Sequence, residues 1–154
     1  MKYIVFSILS IALLTNCSVN RELTSHRSLA NLIGSEIPHE ATLMEESEIP
    51  PIISKDFLNY SKYSLDFNGI TFVLAADQNE TVRYLATSNP EFKTPQGVNL
   101  DSLLVDTILL AAGPMVLDGD STYLLLKSGW WAVYSVKTLE EKREYTTFEW
   151  FFLK

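Results

Sequence analysis

Few residues able to do covalent or metal chemistry stand where a folded domain would use them. The chain has one cysteine, Cys17, and two histidines, His26 and His39, and none of these follows residue 50. A Ser-His-Asp or Cys-His site needs an imidazole to take the proton of its nucleophile. A His- or Cys-ligated zinc needs those side chains as well. Both are excluded from everything after residue 50. Glycine loops of the P-loop or dinucleotide-binding spacing are also missing. Carboxylates remain, at Asp118-Gly119-Asp120 and at Asp101 and Asp106. A glycosidase needs two carboxyls at a set separation, one with a raised pKa. Asp-Gly-Asp just before a strand reads more simply as a turn. The expectation is no catalytic residue, no cofactor and no metal.

Recognition is a different matter. Trp130 and Trp131 are adjacent on an expected strand, with Tyr134 nearby. Neighbouring strand residues face opposite sides of a sheet, so one core cannot take both indoles. The other meets a second layer, a ligand, a partner or solvent. Trp130, Trp131 and Tyr134 are therefore the candidate partner-binding residues, for a protein or a glycan, because aromatics anchor interfaces. The competing reading covers both faces of the strand and leaves no binding surface.

The lone cysteine has a reason of its own. Met1-Lys2 gives a cationic start, and Tyr3 to Leu14 is apolar. That run is shorter than the roughly 20 residues of a membrane span and has the length of a signal-peptide core. It leads into Leu14-Thr15-Asn16-Cys17, which resembles the bacterial lipobox. The resemblance implies a lipoprotein signal peptide over residues 1–16, cleavage before Cys17, and a thioether-linked diacylglycerol on its thiol. An ordinary secretory signal with a chance cysteine is the alternative. Ser18, where Asp would favour the inner membrane, points to the outer membrane if the cell has two. The membrane is then the first expected partner.

The charge balance limits the others. Asp and Glu number 19 against 12 Lys and Arg, a net charge of −7. Removing residues 1–16 takes away one cation, Lys2, and no acid, leaving −8. Nucleic-acid binding needs a basic face, so nucleic acid is not an expected partner.

What must position these residues is a domain over residues 51–154, after a polar, acidic tether at 17–50. Ile70–Ala76 and Thr81–Thr87 read as paired strands behind an Asn68-Gly69 turn signal. Tyr123–Lys127 and Trp130–Lys137 flank Ser128-Gly129 as a second hairpin. Tyr145–Leu153 reads as a last strand with Phe148, Trp150 and Phe152 on one face. Leu100–Ala112 carries apolar residues at helical spacing and stops at Gly113-Pro114. The fold class expected is α+β: an antiparallel sheet of about five strands with one main helix packed on it. Val98–Pro114 followed by a hairpin is similar to small envelope lipoproteins of the β-barrel-assembly accessory type. That resemblance implies a docking or scaffolding role and assigns no residue.

The functional expectation is a non-enzymatic, membrane-anchored module that binds an envelope protein or cell-wall component. An inhibitor or immunity protein against a basic enzyme is the alternative, and a carboxylate hydrolase is a distant third.

Overall fold

In the computed structural model, which describes residues 26, 28–45, 59–119, 121–135 and 147–154, Asn68 and Gly69 both have positive φ, 55° and 80°. That is the tight hairpin turn whose twist matches the strands beside it. Asp66 Oδ1 accepts from the Gly69 N–H at 3.0 Å and fixes the turn. The turn joins β2 (Ser61–Phe67) to β3 (Ile70–Ala76), paired from Phe67–Ile70 to Ser61–Ala76. Asp77 organises the next turn, into β4 (Val82–Thr87). Its carboxylate accepts from the N–H groups of Asn79 and Thr81 and, at 2.7 Å, from Arg83 Nε. The Arg83 hydrogen bond, helped by the two backbone N–H groups, holds the Asp77 carboxyl below the usual range. A bulge at Ala75/Ala76 offsets the β3–β4 register beside this turn.

The remaining strands are β1 (Thr42–Leu43), β5 (Val116–Asp118), β6 (Ser121–Leu125), β7 (Trp131–Ser135) and β8 (Trp150–Leu153). Among the described residues they form one antiparallel sheet of eight strands, ordered β1-β2-β3-β4-β8-β7-β6-β5. Two meanders are thus joined by β8, which pairs with β4 on one side and β7 on the other. That pairing brings together residues far apart in sequence.

The expected α+β class is overturned. Among the described residues the protein is mostly β, with eight strands instead of about five, and the main helix over Leu100–Ala112 does not form. Over this stretch only a short helix (Leu104–Thr107) and a 3₁₀ turn (Ile108–Leu110) form. Local hydrogen bonds interrupt the first half. Ser102 Oγ donates to Asn99 Oδ1 and accepts from the Asn99 N–H, and Leu103 is extended at ψ 143°. Such side-chain bonds compete with the helical ladder. Sheet pairing takes the second half, where Ala111 bridges Leu126 and the Ala112 N–H donates to Leu125 O. Leu104 and Thr107 are buried, whereas Val105, Ile108 and Leu109 face solvent. The helical spacing of apolar residues therefore does not mark a packed face.

The loop after β4 takes the place expected for the helix. Phe92, 1% exposed, packs on Phe72, Trp130 and Phe151, with ring centroids 4.6 to 5.7 Å apart. Thr94 Oγ1 accepts from the Val98 N–H and closes the loop over this back face of the sheet. Phe148, expected on one face with Trp150 and Phe152, lies before β8 and turns to the back, against Tyr134 and Phe151.

The chain divides into two units, Met1–Asn31 and Leu32–Lys154. Of the first, a helical stretch at His26 and Ser28–Ala30 is described. Residues 32–45, expected in the tether, belong to the folded unit. Val82 N–H donates to Ser35 O, Gly34 N–H donates to Val82 O, and Thr42–Leu43 pairs with β2. The lipobox with Cys17, Asp120, and residues 46–58 and 136–146 lie outside the described residues. Among the described residues no helix is long and apolar enough to cross a membrane.

Candidate functional site

Sheet register determines which aromatic side chains meet on the front face. Phe152 on β8 sits opposite Trp131 on β7 and Ala86 on β4. Tyr84 lies two residues along from Ala86, and Tyr123 on β6 sits opposite Val133. The strand period of two puts all of these side chains on one side. Phe152 is buried between two rings: Trp131 stacks on it at 5.8 Å with planes 3° apart, and Tyr84 at 4.9 Å and 26°. Tyr123 meets it edge-on at 6.1 Å. Val73, Ala75, Ala86 and Val133 complete this front core.

Beside these rings the face opens into a cavity of about 320 Å³. Tyr84, Phe152, Trp131 and Tyr123 line it, and the edge strand β5 adds Val116 and Asp118. Lys154 enters from the end of β8. Its Nζ lies over the Trp131 ring, 5.1 Å from the centroid, and 5.8 Å from that of Phe152. Both distances are within the reach of a cation–π attraction. Asp118 and Lys154 thus bring opposite charges to one cavity without forming an ion pair with each other. A second cavity, about 260 Å³, is lined by Thr71, Val73, Thr87 and Trp150 among others. The Thr87 hydroxyl there donates to Thr71 O and accepts from the Asn89 N–H, so its polar capacity is already used within the chain.

The structure separates the three aromatic candidates. Trp131 is half-buried and lines the front cavity. Trp130 and Tyr134, 1% and 0% exposed, lie in the back core and offer no surface to a partner. Tyr134 Oη donates to Met115 Sδ at 2.7 Å. Burial raises the pKa of this phenol above its usual 10.0. The folded state therefore holds the proton to higher pH than the unfolded chain does. The stabilisation is complete below about pH 10 and is lost as pH climbs through the folded-state pKa. Urea midpoints should fall on that alkaline limb, and Tyr134→Phe should flatten it while lowering the neutral-pH midpoint slightly. An equally steep limb in the variant would assign alkaline loss to other groups.

Sequence reasoning did not assign Tyr84, Tyr123, Phe152 or Lys154 to a site. Tyr84, Tyr123 and Phe152 alternate correctly within their own strands and Lys154 follows β8, but only the β4-β8-β7-β6 order collects them. Asp118 lines the same cavity as Lys154, while Asp120, its partner in the hydrolase reading, lies outside the described residues. Among the described residues no three His, Cys, Asp or Glu side chains cluster as metal ligands would. Comparison with protein-family models, curated proteins and solved structures finds no match.

Proposed function

We propose that this chain is a lipid-anchored protein of a bacterial envelope whose domain binds its partner without transforming it, through the front-face cavity. The observation that carries this reading is the cavity, with four aromatic side chains in its lining and an acid and a base, Asp118 and Lys154, that form no ion pair among the described residues. A volume of about 320 Å³ is at the small end of ligand sites. It suits a small molecule or one protruding group of a larger envelope component. Aromatic walls supply contact area with little side-chain entropy to lose, and a few charged groups orient what enters. The absence of histidine and cysteine after residue 50 supports binding over catalysis.

Adding solubilised cell-wall fragments to the isotope-labelled full chain in detergent tests the reading. Saturable shifts are expected at the Trp131 indole and at the Tyr84, Tyr123 and Phe152 amides. Trp131→Ala should weaken the interaction at least about tenfold, as loss of an interface anchor does. Shifts confined to other surfaces, or none at all, would overturn it.

A further inference from the structure

Resting on that binding reading, we infer that the cavity takes an organic ammonium group, whose place Lys154 fills in the free protein. An aromatic ring is electron-rich on its face, so a cation over it is attracted and an anion repelled. Here the chain's own ammonium already occupies such a position, over Trp131 and within reach of Phe152. The walls therefore hold a cation. Lys154 is solvent-exposed, and its flexible four-carbon stem can swing aside at small cost.

Charge favours the same occupant. Asp118 is exposed at the rim and has no ion pair among the described residues, so it can face the incoming ammonium. The net charge of −7 raises the local concentration of cations and lowers that of anions. An anionic ligand would have Lys154 alone on its side, against Asp118 and the ring faces. A methylated ammonium suits the site better than a primary one, because it is less strongly hydrated and its methyl groups pack on the aromatic walls. Its entry releases Lys154 to water.

Choline and its uncharged isostere 3,3-dimethyl-1-butanol separate charge from shape. Each is titrated into the labelled full chain at constant ionic strength, following the Trp131 indole and the Tyr84, Tyr123 and Phe152 amides. Choline should saturate in the millimolar range, with the alcohol about tenfold weaker or more. Asp118→Asn should weaken choline several-fold. Lys154→Ala should tighten it, an effect that loss of structure would not produce, with circular dichroism confirming that both variants fold. Equal binding of choline and the alcohol would overturn the ammonium proposal and leave the binding reading standing. So would weaker choline binding by Lys154→Ala. No response to either small molecule, with cell-wall fragments still shifting the same signals, would overturn the ammonium proposal alone. Silence toward all three would remove both readings.

Discussion

Phe92→Ala is expected to destabilise the domain by about 3–5 kcal/mol, the usual range for truncating a buried phenylalanine. Phe92 belongs to an irregular loop, yet it is 1% exposed and touches rings from β3, from Trp130 just before β7 and from β8. Its removal opens a void where the two meanders meet, next to the β4–β8 pairing. Single domains have about 5–15 kcal/mol in all, so the urea midpoint should fall by about a fifth of its value or more at unchanged slope. Leu109→Ala is the control. Leu109 is 78% exposed, and its replacement should move stability by no more than about 0.5 kcal/mol. The reverse result, a costly Leu109 and a neutral Phe92, would restore a helix packed on the sheet.

That pair of variants also marks where sequence reading succeeded and failed. Local signals were legible. Asn68-Gly69 requires two positive φ angles and delivers them, and the runs Ile70–Ala76 and Thr81–Thr87 become β3 and β4 with shifts of at most one residue. Ser61–Phe67 was missed although Tyr63, Leu65 and Phe67 alternate with polar residues just before that turn. The Leu100–Ala112 error has a different origin. Leucine, valine and isoleucine at helical spacing create an apolar stripe, but a stripe becomes a packed helix only if a surface remains for it to cover. Phe92 and Phe148 occupy that surface. Which segment reaches the sheet first in space is a tertiary matter, and a window of ten residues does not contain it.

The site shows the same division. Adjacency of Trp130 and Trp131 implies that the two indoles part, and they do, one into the back core and one to the wall of the front cavity. Tyr134, three residues beyond Trp131, falls on the other face by the same alternation, opposite Thr122 and on the back side. Tyr84 and Phe152 come from strands some seventy positions apart, and their stacking depends on β8 inserting between β4 and β7. No local pattern encodes that insertion. Lys154 becomes informative only when its Nζ is found over Trp131.

Cys17→Ser should move the protein from the membrane pellet to the soluble fraction, or leave an unprocessed precursor that keeps residues 1–16. Either outcome is near-complete, the first a change of location and the second a loss of processing, and far larger than any change within the domain. The proposal behind it is the thioether at Cys17, the chain's one cysteine. Each buried methylene contributes about 0.8 kcal/mol to membrane residence, so one acyl chain binds reversibly while two or three hold effectively for good. A hydroxyl is not a substrate for the same transfer, and the variant loses all the chains at once. Mass spectrometry of the membrane-extracted native protein gives the complementary result, a chain that starts at Cys17 and carries the mass of a diacylglycerol and one further acyl group. A chain starting elsewhere without acyl mass, or a serine variant that stays pelleted after processing, would sink the anchor. Cavity and anchor then separate cleanly: the serine variant changes where the domain resides, and binding at Trp131, measured on the released protein, should be unchanged.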